Sequence, residues 1–174
     1  MTTSSTVFST RRREEAAATG FTASRNLAEA LQQILVDLIE LHSQTKQAHW
    51  NVVGRNFRTL HLQLDQIADA TRDASDTVAE RMRAIRAVPD GRSQVVVTTT
   101  TLPEFPAGQQ DTTTVVGIVT RRLQAAISTV RDLHDVIDGE DPATADLLHM
   151  ITDVLEKHAW MVAAENGSDK QSRA

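Results

Sequence analysis

The sequence predicts an all-α fold, a single bundle of four long helices with one long crossover between the second and the third. Three observations carry this expectation. Apolar residues recur at steps of three and four along four separate segments. Aromatics make up only 3% of the chain and Tyr is absent, which leaves a core of Leu, Ile, Val and Ala that suits packed helices better than a β-sandwich. Residues 92–110, rich in Thr, Val and Pro, are too long and too irregular for a simple hairpin link. With 174 residues, 40% hydrophobic and 24% charged, the chain is sized and mixed for one globular domain.

Taken in order, residues 1–23 are rich in Ser, Thr and Ala and too poor in apolar side chains to fold alone, so a flexible tail is expected there. From Ser24 the stripe Leu27, Leu31, Ile34, Leu38, Leu41, Thr45, Ala48 marks a first helix that runs to Val52 and breaks around Gly54. Phe57, Leu60, Leu64, Ile67, Ala74, Val78 and Ile85 mark a second, with Pro89-Asp90-Gly91 as its stop. By composition 92–110 is irregular: Val95 to Val97 and the four β-branched threonines after them favour β or turn, and Leu102-Pro103-Glu104-Phe105-Pro106 cannot be regular helix. A third helix starts near Asp111, buries Val119, Leu123, Ala126, Ile127, Val130, Leu133 and Ile137, and should stop at Asp138-Gly139. Asp141-Pro142 reads as an N-cap followed by Pro in the first turn. The fourth helix carries Leu148, Ile151, Leu155, Ala159 and Val162 and closes at Asn166-Gly167. The expected organisation is a tail over 1–23, a bundle over 24–166 and a short C-terminal tail over 167–174.

Composition excludes several functions. Asp+Glu outnumber Lys+Arg 23 to 18, a net charge of −5, so the body does not advertise nucleic-acid binding but could draw in cations. Without Cys there is no disulfide frame and no thiolate site, and any metal must rest on His, Asp or Glu. No run approaches 18 apolar residues and the N-terminus lacks an apolar signal core, so a cytoplasmic protein with no membrane contact is expected.

The stretch from His49 to Arg81 holds the chemistry. His61 and Asp65, four residues apart on a helix, share a face and could touch one cation; Asp76 and Glu80 repeat that spacing further along. From His61 to Asp76 the helix rises roughly 22 Å, which metal–ligand bonds of about 2 Å cannot span. Either the two pairs are unrelated, or they meet through a symmetry mate. A two-fold dimer with antiparallel second helices would set Asp76 and Glu80 of one chain against His61 and Asp65 of the other, and would form two such sites at once. His49, at the end of the first helix, can add an imidazole, and two imidazoles with three carboxylates suit Fe(II) or Zn. On spacing alone, a solvated face explains such pairs more often than a metal does. A di-iron site inside one bundle needs Glu-x-x-His on two helices; no Glu-x-x-His occurs, and the one Asp-x-x-His is Asp146 to His149.

The runs KQAHWNVVGRNFRTLHLQLDQ and SDTVAERM, with LPEFP in the crossover and DPATADLLHMITDVLEKHAWMVAAEN at the end, resemble the Dps family in its actinobacterial style, the DNA-protecting mini-ferritins of starved bacteria. The resemblance covers roughly residues 24–166. It implies a ferritin-like four-helix bundle whose crossover carries a short extra helix, here around Ser93 to Thr101, and a homo-dodecameric shell around a hollow core. It further implies ferroxidase sites at two-fold interfaces, with His49, His61 and Asp65 of one subunit facing Asp76 and Glu80 of its mate. Such a protein oxidises Fe(II) to Fe(III), by preference with hydrogen peroxide, stores the ferric mineral, and needs no organic cofactor. Trp50 and Lys46 lie beside the site in the family pattern, Trp50 as an electron donor or as packing; Trp160 is expected to pack.

The resemblance also implies acidic iron-entry pores lined near the start of the last helix. Asp146 matches that pattern, while Asp141 and Asp138 stand one residue out of register with it. His42, His134, His149 and His158 receive no role beyond surface or core histidines. An alternative function is a nucleoid-associated protein that compacts DNA through basic tails, with iron oxidation secondary. Its candidates are Arg11, Arg12 and Arg13, offset by Glu14 and Glu15, with Lys170 and Arg173 at the other end.

Overall fold

The computed structural model describes residues 20–167. The DNA contacts expected of Arg11, Arg12, Arg13, Lys170 and Arg173 therefore lie outside the described residues. Helix α1 spans Arg25–Asn51, α2 Phe57–Ala84, α3 Ser93–Thr99, α4 Thr112–Glu140 and α5 Pro142–Glu165; β1 (Val52–Val53) and β2 (Gln110–Asp111) pair in parallel. Helix α1 lies between α2 and α4, and α5 between α4 and α2, so the four long helices close into a bundle. Helices α1 and α2 run antiparallel: Ala23 N–H donates to Ile85 O at one end, and His49 and His61 meet at the other.

The predicted stripe of α1 is the centre of the core, with Leu27, Leu31, Ile34, Leu38, Leu41, Thr45 and Ala48 all buried. Each large side chain in it is worth about 1.5–3 kcal/mol of burial. Ser24 starts the helix by accepting from Leu27 N–H, and its own N–H donates to Glu140 at 2.6 Å, which ties the chain entry to the end of α4. In α2 the stripe runs through Leu60, Leu64, Ile67, Val78 and Met82 to Ile85, but Phe57, expected within it, is 43% exposed.

Several boundaries differ from expectation, each for a local reason. Helix α2 ends at Ala84, before Pro89: Arg86 turns left-handed (φ 65°) and Ala87 N–H closes back on Met82 O, so hydrogen bonding stops the helix before proline can. The α1–α2 turn uses Gly54 at φ 118°, a conformation open to glycine, and Asn56 at φ 59°. Residues Ser93–Thr99 are helical despite three consecutive valines. Val96 is buried, and the Thr98 and Thr99 hydroxyls donate to the carbonyls of Gln94 and Val95, so packing and local bonds outweigh a propensity deficit of a few tenths of a kcal/mol per residue. Helix α4 runs through Gly139 to Glu140, leaving Asp141 alone between α4 and α5.

The rest of the crossover is fastened by one buried carboxylate. Asp37 of α1, 1% exposed, accepts from Thr100 Oγ1 (2.9 Å), Thr101 N–H (2.7 Å), Thr101 Oγ1 (2.6 Å) and Thr129 Oγ1 (2.9 Å). Its neighbours therefore come from the crossover and from α4 together.

Candidate metal-binding site

The last turn of α1 and the first turns of α2 bring His49, His61 and Asp65 together. The two imidazoles stack with centroids 3.7 Å apart and planes 22° from parallel. Their hydrogen bonds are reciprocal: His49 Nδ1 lies 3.0 Å from His61 O, and His61 Nδ1 lies 3.0 Å from His49 O. A carbonyl oxygen only accepts, so each Nδ1 carries a proton and, in the neutral ring, each Nε2 keeps its lone pair. The backbone thus holds both rings in the tautomer a metal ion needs. His49 is 8% exposed, and Phe57 packs against His61 with ring centroids 5.0 Å apart.

Asp65 is the acid beside them. Lys46 Nζ donates to its Oδ1 at 2.7 Å, and His49 Nδ1 is 3.7 Å from the same oxygen. The Lys46 hydrogen bond, helped by the nearby His49, holds Asp65 below the usual carboxylate range against the effect of burial. Trp50 is 68% exposed with the Lys46 ammonium 6.0 Å from its ring centroid, so it does not pack inside its own chain.

Asp76 and Glu80 lie exposed on α2, away from this cluster. Asp76 lines a groove with Leu35, Ile39, Arg72, Pro89 and Gly91. Among the described residues, no three His, Asp or Glu side chains of one chain converge closely enough to hold a metal ion.

A family profile described as Ferritin-like domain matches residues 28–171. The chain is 35% identical over 136 residues to the DNA protection during starvation protein 2 of Deinococcus radiodurans, covering 78% of this chain and 56% of that protein. The crystal structure of Dps92 from Deinococcus radiodurans superposes with a TM-score of 0.78 at 34% identity, over 80% of this chain and 85% of that one. The chain belongs to the Dps family. It spans little more than half the length of the starvation protein 2 it matches. Another relative, 37% identical over 82% of this chain and 76% of its own length, is named the fine tangled pili major subunit of Haemophilus ducreyi.

The short crossover helix implied by the Dps resemblance is present as α3, so the β or turn character read for Val95 to Val97 is not; residues 100–109 are irregular and Leu102 to Pro106 are not helical, as expected. The acids around the α4–α5 junction are not equivalent. Asp138 and Asp146 are exposed, whereas the Asp141 side chain is 12% exposed. Asp141 makes no side-chain N-cap bond to α5. Its Oδ2 instead accepts from Arg81 Nη2 at 2.6 Å and from the Thr144 hydroxyl, so a cation would have to displace Arg81 to reach it. Sequence spacing could not show this, because Arg81 is sixty residues away.

Burial pushes the Asp141 carboxyl up, but the Thr144 hydroxyl and Arg81 together outweigh it and hold the group below its ordinary value. A depressed folded-state pKa adds stability above the unfolded value, and that stability is lost as pH falls through the folded value. Arg81→Met should therefore lower the thermal midpoint at neutral pH, and the gap to wild type should close below about pH 4, followed by circular dichroism.

Other histidines have partners the sequence did not announce. His42 Nδ1 is 2.8 Å from Ala68 O, and His134 Nε2 is 2.9 Å from His149 Nε2. His158 Nδ1 is buried without a hydrogen-bond partner among the described residues, and burial, with Lys157 nearby, lowers its pKa. Trp160, expected to pack, is 70% exposed and flanks Leu62 and Met161 in a surface groove between α2 and α5. Among the described residues no helix is long and apolar enough to cross a membrane.

Proposed function

We propose that the protein is a ferroxidase and iron-storage protein that binds Fe(II) as substrate at sites shared by two subunits. The observation that carries this reading is the reciprocal hydrogen bonding of His49 and His61, which leaves a lone pair on each Nε2 in a cluster that also holds Asp65. A metal-ligating imidazole characteristically donates its other N–H to a carbonyl or carboxylate, as both rings do here. Asp76 and Glu80 of a mate would supply the remaining carboxylates, since they lie roughly 22 Å away along α2 in the same chain.

In this reading the imidazoles set the position of the ion, and the carboxylates stabilise Fe(III) more than Fe(II) because they respond to its extra charge. With hydrogen peroxide the balanced reaction takes one electron from each of two Fe(II) ions: the O–O bond breaks, two protons are taken up, two waters form and two Fe(III) result. Taking the electrons as a pair avoids releasing hydroxyl radical. Lys46 donates to one oxygen of Asp65, and that bond with the nearby imidazoles keeps the acid in its carboxylate form. Trp50, exposed beside Lys46, is the residue we assign as electron donor if one is drawn from the protein.

Exposed Asp138 and Asp146 are the acids we assign to iron entry, with Asp141 held back by Arg81. The starvation relative is named for DNA protection. Consuming Fe(II) and peroxide together protects DNA without touching it, and we favour that route over direct contact through Arg11, Arg12 and Arg13. The test is light scattering with an iron-oxidation assay. A particle of roughly twelve chain masses that consumes Fe(II) faster with peroxide than with air is the expected result. A monomer that leaves Fe(II) unchanged would remove the reading.

A further inference from the structure

His134 of α4 and His149 of α5 meet across the seam between the two helices, on residues with no part in the iron half-site. Their Nε2 atoms are 2.9 Å apart, and the rings stack with centroids 4.9 Å apart and planes 23° from parallel. On the far side of each ring a carboxylate faces Nδ1. Asp135 Oδ1 is 3.4 Å from His134 Nδ1, and Asp146 Oδ1 is 3.8 Å from His149 Nδ1. Asp153 and Thr152 line the same cleft.

A carboxylate opposite Nδ1 draws the imidazole proton to that nitrogen and leaves the lone pair on Nε2. Without a cation the gap is spanned by one Nε2–H donating to the other Nε2; with both protons drawn to Nδ1, two lone pairs face the gap and a cation can take the proton's place. The spacing is that of two nitrogens at right angles on one ion, and the exposed His149 ring can give the roughly 0.4 Å that a tetrahedral angle adds. Two nitrogens bound at about 2.05 Å and at right angles are about 2.9 Å apart, and a tetrahedral angle opens that to about 3.3 Å. Imidazole nitrogen selects late first-row divalent ions, whereas Mg(II) and Ca(II) prefer sets of oxygen ligands.

We propose that His134 and His149 form a second cation site, for a Zn(II)-class ion, with water completing its coordination. The site is separate from His49, His61 and Asp65 and does not depend on iron oxidation. The His149 side chain is 61% exposed, so replacing it leaves the core intact.

The test is calorimetric titration of the metal-free assembled protein with Zn(II) near neutral pH. Wild type should bind one more equivalent per chain than either His134→Gln or His149→Gln, while His61→Ala keeps that equivalent. A crystal soaked in Zn(II) should show an anomalous peak between the two Nε2 atoms. Equal Zn(II) uptake by wild type and both glutamine variants would overturn the proposal, because a shared proton would then be what spans the gap.

Discussion

Asp76→Ala is expected to cut Fe(II) oxidation by about 100-fold or more while leaving the stability of the chain within about 0.5 kcal/mol of wild type. Asp76 is exposed, so its loss opens no core cavity. In the shared-site account, however, it removes a charged iron ligand, and losing one such contact is worth several kcal/mol of metal binding, or a factor of ten for about every 1.4 kcal/mol. His61→Ala should fall as far in rate but also lose some stability. It deletes the hydrogen bond to His49 O and the stacked ring, together about 1–2 kcal/mol. Initial rates of Fe(II) loss with peroxide, set beside thermal melts, separate the two variants. If Asp76→Ala oxidised iron at the wild-type rate, the exposed pair on α2 would be only a solvated face.

The largest effect on folding is expected at Asp37. Asp37→Ala removes the buried carboxylate that accepts from Thr100, Thr101 and Thr129, and with it an anchor that holds the crossover to α1 and α4. A hydrogen bond to a charged acceptor is worth about 1.5–3 kcal/mol, and losing several together should cost about 3–5 kcal/mol once water reaches the half-buried and exposed donors. Denaturant unfolding should show the loss, and amide exchange should quicken first around Thr100 and Thr101. Unchanged exchange there would mean that buried Val96, Leu102 and Phe105, with the Gln44 and Arg122 bonds to Pro103 O and Glu104 O, secure the crossover without it.

These two residues differ in how far the sequence discloses them. The four long helices were legible because Leu27 through Ala48, and the corresponding stripes of α2, α4 and α5, keep a helical period that burial then enforces. The ligand candidates were legible as spacing, since His61 and Asp65 lie one turn apart on one helix. Asp37 was not, because a lone acid inside an apolar stripe has no local signature; its partners come from two distant segments, the crossover and α4. Arg81 was hidden for the same reason, and with it the pairing of Asp141. The reciprocal bonds of His49 and His61 depend on how α1 meets α2, which no periodicity encodes. Helix α3 shows the opposite case, where β-branched composition pointed away from helix and the burial of Val96 decided the matter.

In this account each iron site takes three ligands, His49, His61 and Asp65, from one subunit and two, Asp76 and Glu80, from its mate. Mixed assemblies test it most directly. Chains carrying His61→Ala and chains carrying Asp76→Ala, each inactive alone, are co-refolded in equal amounts and assayed for peroxide-dependent Fe(II) oxidation. In a dimer of one chain of each kind, one of the two sites combines intact His61 with intact Asp76. Random pairing then predicts recovery of about a quarter of the wild-type activity. No recovery from mixtures shown by mass analysis to contain both chains would contradict the shared site.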